Sequence, residues 1–195
     1  MRLNMKIGIF GGCFNPPHKM HEKIATELVN EGYLDKVIYV PTGDSYEKND
    51  LEKFEHRLKM LELITQDIDF LEVSDISKDD NYQYTYQVLD YFKGVYQNDE
   101  IYFACGTDNL SYFDEWCKYK YILENYKLLI IDRKDGLEEM IKNYKEYRNN
   151  IVVTNIKTKT ISSTDIREKI NKREDVSNFI DKKVLNYINE NKLYM

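Results

Sequence analysis

Short apolar runs alternate along the chain with longer stretches in which apolar residues recur every three or four positions. Met5 to Phe10 is a compact apolar run that stops at Gly11-Gly12, the length and boundary of a buried strand. Helical spacing follows from about Lys19 to Glu31, and Lys36 to Pro41 is a second buried strand with Val37, Ile38 and Val40. Thr42 to Asp50 is polar and rich in turn residues, hence a loop. Glu52 to Gln66 is a helix with Leu58, Leu61 and Ile64 or Thr65 on one face, and Asp69 to Val73 a third short strand. The pattern continues with a helix over Tyr84 to Val95, a strand over Glu100 to Cys105 broken by Gly106, and a helix over Ser111 to Glu124. A strand over Lys127 to Asp132, a helix over Leu137 to Tyr147 and a last strand over Asn150 to Thr154 come next. Ser163 to Asn171 and Lys182 to Asn191 are the closing helices.

Strands that alternate with helices imply an α/β fold, a doubly wound parallel sheet with helices on both faces. No repeat, low-complexity tract or linker interrupts it, so residues 1–195 read as one domain with a small helical C-terminal part from about residue 163. In such sheets ligands sit at the carboxyl ends of the strands, near the switch in strand order. Chemistry is therefore expected just after Phe10, Pro41, Cys105 and Asp132, before any motif is considered.

Composition narrows the class further. With 42% apolar and 32% charged residues, the 195-residue chain has the make-up of a soluble globular domain large enough to bury a core without disulfides. A net charge of −6 without a long basic block argues against nucleic acid as a partner, but not against a small anionic substrate. Cys13, Cys105 and Cys117 are odd in number and widely spaced, which disfavours a disulfide framework or zinc site. No membrane span or signal-peptide pattern is expected, and a reducing cytoplasm is the simplest compartment.

The segment from Gly11 to His21 joins the first strand to the first helix. Gly11, Gly12, Cys13 and Phe14 would let backbone N–H groups approach a phosphate, aided by the helix N-terminus. His18 and His21, three residues apart on a first helical turn, share a side and can both reach one polyphosphate. A tight turn followed by surface histidines is the plainer alternative. A metal pair lacks an obvious third ligand.

Ile161 to Arg167 follows a strand and opens a helix. Ser162, Ser163 and Thr164 suit an N-cap, and together with Arg167 one turn on they equally suit a phosphate cradle. After the fourth strand, Gly106 would let a nucleotide pass close and Asp108 could accept hydrogen bonds from a ribose. Trp116, the only tryptophan, either packs a core or stacks on a flat heteroaromatic ring. Arg133, after the fifth strand, either borders adenine or phosphates or is a surface charge.

These stretches carry a resemblance. Gly11 to His21 resembles the Gly-x-Phe-x-Pro-x-His-x-x-His signature of the nucleotidylyltransferases, with Met20 where many relatives have glycine. Ile161 to Arg167 matches the Ile-Ser-Ser-Thr-x-Ile-Arg second signature. The two occur in the expected order. The resemblance implies a Rossmann-like fold in which His18 and His21 bind the ATP phosphates and stabilise charge at the α-phosphorus, with the hydroxyls and Arg167 on the phosphates.

Gly106 to Trp116 resembles the Gly-x-Asp…Phe…Trp segment of nicotinate mononucleotide adenylyltransferases, which implies Asp108 near the adenosine ribose and Trp116 against the pyridine ring. Tyr84-Thr85 is similar to the family's Tyr-Thr-x-x-Thr-Leu, implying that Thr85 holds the nicotinate end. Val88 replaces the second threonine. Gly43 to Arg57 departs from the Pro-Pro-His-Lys loop of bacterial nicotinate enzymes and looks more like the Asp-x-Tyr-x-Lys-Lys…His-Arg segment of eukaryotic-type nicotinamide/nicotinate enzymes. Lys48 would then touch phosphate, and Arg57 either contacts the mononucleotide phosphate or braces its helix. The C-terminal Val184 to Tyr194 resembles the family's final helix.

The implied reaction joins ATP to nicotinate or nicotinamide mononucleotide, in NAD biosynthesis, with Mg²⁺ carried on the ATP phosphates and no metal held by the protein itself. The expected partners are small molecules; the oligomeric state, including a homo-oligomer, stays open. Two rivals remain: transfer to another phosphate acceptor, and a nucleotide-binding sensor without catalysis.

Overall fold

The computed structural model describes residues 4–46, 50–78, 82–132, 137–157 and 161–195. Its strands are β1 (Lys6–Gly12), β2 (Lys36–Pro41), β3 (Leu71–Val73), β4 (Glu100–Gly106), β5 (Lys127–Asp132) and β6 (Ile151–Lys157). Helices are α1 (Lys19–Asn30), α2 (Phe54–Thr65), α3 (Thr85–Val95), α4 (Thr107–Leu110), α5 (Tyr119–Asn125), α6 (Leu137–Lys142), α7 (Ser163–Asn171) and α8 (Lys182–Asn191).

All strand pairs are parallel, in the order β3-β2-β1-β4-β5-β6. Parallel neighbours need crossovers, and the helices supply them. The order reverses between β1 and β4, where Ile9 of β1 pairs with Ile38 on one side and Phe103 on the other. In open sheets of this kind, ligands bind at the carboxyl ends of the strands that flank such a reversal. This is the doubly wound, Rossmann-like sheet that the alternating pattern implies.

The two-residue period of a strand divides the apolar residues between two cores. Ile7, Ile9, Ile101, Phe103, Cys105, Leu128 and Ile130 face α3, α4, α5 and α6. Phe10, Val37, Tyr39, Tyr102, Ala104, Leu129 and Ile131 face α1, α2, α7 and α8. Both faces of the sheet are therefore covered, which explains why its strands read as nearly continuous apolar runs. Gly8 lies where a Cβ would come within 2.2 Å of Leu34 Cδ1, so the strand must be bare at this point for Leu34 to pack.

Several boundaries differ from the expectation for physical reasons. β1 runs on through Gly11 and Gly12, which pair with Val40 and Pro41. The expected helix over 111–124 is broken into α4, a 3₁₀ turn at Phe113–Glu115 and α5. Trp116 is extended and Lys118 is left-handed at φ 55, which lets Phe113 and Trp116 dock together. Likewise α6 stops at Lys142 and a 3₁₀ turn covers Lys145–Asn150, because the buried Tyr144 reaches back to donate to the Leu110 carbonyl at 3.2 Å. On α2 the buried face is Phe54, Arg57, Met60, Leu61, Ile64 and Thr65, with Leu58 only half-buried.

Candidate active site

The segment that leaves β1 is held from four directions. Thr42 N–H at the end of β2 donates to the Gly12 carbonyl at 3.0 Å. Arg57 Nη1 donates to the Cys13 carbonyl at 3.1 Å. Arg167 Nη1 donates to the Asn15 carbonyl at 2.9 Å, and Ser163 Oγ to the Pro16 carbonyl at 2.8 Å. Phe14 adopts φ 48, and Asn15-Pro16 is a cis peptide. The aromatic ring of Phe14 seats between Phe10, Tyr39 and His21, with ring centroids 5.9, 5.5 and 5.0 Å away.

The glycines work differently from a bare phosphate loop. They belong to β1, and a Cβ on Gly12 would meet the Phe14 ring at 3.1 Å, while one on Gly11 would meet Phe103 at 3.4 Å. At Gly12 the bare backbone makes room for the Phe14 ring, whereas a Cβ on Gly11 would only reach ordinary contact with Phe103.

His18 is the N-cap of α1 and His21 stands in its first turn. Their rings stack with centroids 3.7 Å apart. His18 N–H donates to His21 Nδ1 at 3.1 Å, so in the neutral ring the proton of His21 resides on Nε2. Tyr39 OH, whose ionisation is pushed up by burial and then by Glu22, donates to the His21 carbonyl at 3.0 Å. Both imidazoles are thus fixed beside the positive end of α1, an arrangement that favours an anion.

The second motif opens α7. Ser162 is its N-cap: Ser162 Oγ accepts from Asp165 N–H, and Asp165 Oδ2 accepts from Ser162 N–H at 2.9 Å and from its hydroxyl at 2.7 Å. Those bonds hold the Asp165 carboxyl below the usual aspartate range. Arg167 Nη2 also approaches Thr164 Oγ1, at 3.4 Å. Ser163, Thr164 and Arg167 therefore lie beside the first motif, and Ser162 serves the cap.

At the end of β4, Gly106 caps α4 and Asp108 lies in its first turn. Burial first, and then Asp108, push the Tyr112 phenol upward. Trp116 is half-buried, edge-on to Phe103 at 5.7 Å and tilted against Phe113 at 4.9 Å. Thr85 begins α3, and the adjoining Tyr86 ring lies 4.2 Å from Lys118 Nζ, which brings the α3 N-terminus toward the Trp116 segment.

Of the two roles open to Arg57, its hydrogen bonds within the protein support the bracing one. Its side chain is 0% exposed, with Nε donating to the Glu52 carbonyl at 2.6 Å and Nη2 to Asp44 Oδ1 at 3.0 Å. It braces the loop after β2 against the loop after β1. Lys48 and Arg133 lie outside the described residues. Among the described residues no group of three or more His, Cys, Asp or Glu side chains is arranged to hold a metal ion, and no helix is long and apolar enough to cross a membrane.

Asn15 and Tyr194 carry more of the site than the motif spacing suggests. Asn15 is 0% exposed; its Nδ2 donates to the Asp50 carbonyl at 2.7 Å, and its Oδ1 accepts from Glu52 N–H at 3.2 Å and Tyr194 OH at 2.9 Å. A polar residue buried between Phe14 and Pro16 was the available signal for Asn15. For Tyr194, 179 positions away, the resemblance of the C-terminal stretch marked the segment but gave this residue no role.

Comparison with known proteins agrees with this geometry. The cytidylyltransferase-like family model matches residues 9–169, a span that includes both motifs. A probable nicotinate-nucleotide adenylyltransferase of Acholeplasma laidlawii is 35% identical over 193 residues, covering 95% of this chain and 96% of that protein. One of Fusobacterium nucleatum is 37% identical over 183 residues, covering 92% and 95%. In fold, the chain is similar to the Plasmodium falciparum nicotinic acid mononucleotide adenylyltransferase complexed with NaAD, at TM-score 0.83 and 22% identity over 98% of each chain. With its two motifs joined by Ser163 and Arg167 and its relatives matched nearly end to end, the chain belongs to the cytidylyltransferase-like family, among the nicotinate-nucleotide adenylyltransferases.

Proposed function

We propose that the protein transfers the adenylyl group of ATP to nicotinate mononucleotide, giving the dinucleotide and pyrophosphate in NAD biosynthesis. The observation that carries this is the pair of bonds from Arg167 to Asn15 and from Ser163 to Pro16, which fuse two distant phosphate-binding motifs into one site. The names of the relatives support the pyridine acceptor.

A phosphate oxygen of the mononucleotide attacks the α-phosphorus in line. The bond from that phosphorus to the bridging oxygen breaks, and pyrophosphate leaves. The attacking group is already an anion, so no protein nucleophile is needed, and catalysis consists of positioning and charge stabilisation. His18, His21 and Arg167 stabilise the negative charge on the phosphates, and backbone N–H groups from Gly11 to Phe14 line their approach. Lys48 and Arg133, which follow β2 and β5 in the sequence, would add positive charge for the phosphates. Asp108 takes the ribose, while Trp116 and Thr85 take the pyridine end. Mg²⁺ would be held mainly by the nucleotide phosphates and water rather than by protein side chains, and would supply neutralisation of phosphate charge. The whole chain acts as one nucleotidylyltransferase domain in the cytoplasm.

Purified protein with ATP and Mg²⁺ should release pyrophosphate when given nicotinate mononucleotide, and little when given no acceptor. Running nicotinamide mononucleotide in parallel yields the acid-to-amide ratio. Absence of release with both, in protein that binds ATP, would replace this conclusion with another acceptor or a sensor.

A further inference from the structure

We propose that Tyr194 is a positioning residue for the adenylyl transfer, acting through Asn15; the inference rests on the function proposed above. The Tyr194 hydroxyl donates to Asn15 Oδ1, the same oxygen that accepts from Glu52 N–H. The Asn15 carbonyl takes Arg167, and its amide holds Asp50. One buried residue therefore joins three parts of the site: its side chain holds the loop after β2 and Tyr194, and its main-chain carbonyl, in the histidine-bearing segment, takes the α7 arginine.

The tail that delivers Tyr194 is itself well anchored. Leu193 is buried, and its N–H donates to the Ile188 carbonyl at 3.0 Å. Lys192 and Tyr194 adopt φ 53 and φ 63, left-handed conformations that side chains disfavour and that turn the chain back from α8 toward Asn15. α8 is tied to α2 and its following turn through Tyr187 OH with His56 at 2.8 Å and Lys183 with Asp67. Burial first, and then Glu52, push the Tyr194 phenol upward, so it remains a donor at neutral pH.

An oxygen with two donors is held in direction as well as in place. Losing one donor loosens the Asn15 side chain that ties this segment down, and the main-chain carbonyl of the same residue, which anchors Arg167, shifts by a fraction of an ångström. Such a shift leaves ground-state binding nearly intact and weakens charge stabilisation in the transition state.

The test compares Tyr194→Phe with Tyr187→Phe, which removes a hydroxyl from α8 that contacts His56 and not Asn15. For Tyr194→Phe we expect kcat to fall about 5-fold, the scale of one neutral hydrogen bond. KM for ATP and for nicotinate mononucleotide should stay within about 2-fold of wild type, as loss of a transition-state-only contact requires. Tyr187→Phe should keep wild-type kcat even where its Tm falls as far. Wild-type kcat in Tyr194→Phe, or equal losses of kcat in both variants in step with Tm, would overturn the inference. Wild-type protein that releases no pyrophosphate would sink the adenylyl-transfer conclusion itself, an outcome separable from the other two.

Discussion

Single residues in this site are held by bonds more than by packing alone. His21 presents its Nε2 proton because its Nδ1 is occupied by the His18 amide. Replacing His21 with alanine should cut turnover by about 100-fold in a folded protein, the usual cost of losing one preorganised stabiliser of developing charge; steady-state pyrophosphate release checks this. Arg57 makes the opposite case, a cation spent on structure. Arg57→Met would leave the carbonyls of Cys13 and Glu52 without their partner in a buried place, and Asp44 without its ion pair. Urea unfolding should show a loss of about 3 kcal/mol. Membership of one site was legible in the sequence at His18, His21, Ser163 and Arg167, because they stand in two short motifs of recognisable residue type and spacing. It was not legible at Asn15 or Tyr194, whose partners are set by tertiary folding. Arg57 stood open between two roles, and its buried bonds to Cys13, Glu52 and Asp44 are visible only in the folded chain.

At the scale of elements, α7 is the hinge between local sequence and assembled site. Its cap is self-contained, with Ser162 and Asp165 exchanging hydrogen bonds, while the next residues reach across to Asn15 and Pro16. Ser162→Ala should cost about 1 kcal/mol of stability, measured by thermal unfolding. The lowered Asp165 carboxyl gives this a pH dependence. A depressed carboxylate contributes stability above its unfolded pKa of about 3.9 and loses it as pH falls through the folded value. In Ser162→Ala the Asp165 titration, followed by NMR, should move back up toward that ordinary value, and the acid-side loss should shrink. β1 supplies a second case. Gly8→Ala drives a methyl into Leu34, which is buried and has little room to move; about 1–3 kcal/mol of destabilisation is expected from such overpacking, visible as a lower denaturation midpoint. Strands were readable here because a sheet covered on both faces produces apolar runs. The helix over 111–124 was misread because Phe113 and Trp116 follow a docking geometry, not a helical period.

For the molecule as a whole, strand order decides where chemistry can happen. The reversal between β1 and β4 was inferable as a need for a crevice, and the parallel pairing of Ile9 with both neighbours shows where it falls. Ligand bound there should stabilise the entire fold by mass action. At 100 times its Kd, ATP with Mg²⁺ should add about 2.7 kcal/mol, a Tm rise of roughly 5–10 °C for a chain of this size. Arg167→Ala should reduce that rise in a thermal-shift assay, since it removes the proposed phosphate contact together with the bond to the Asn15 carbonyl.

The separation of the two motifs also has a consequence in time. Asn15 and Arg167 lie 152 positions apart, so the ribosome makes the first half of the site long before the second. At ordinary elongation rates that interval is about 8–30 s. Until residue 167 has emerged, the carbonyls of Asn15 and Pro16 lack their α7 partners and the nascent chain holds only half a nucleotide site. Cellular ATP can therefore stabilise the finished fold but cannot template its early stages.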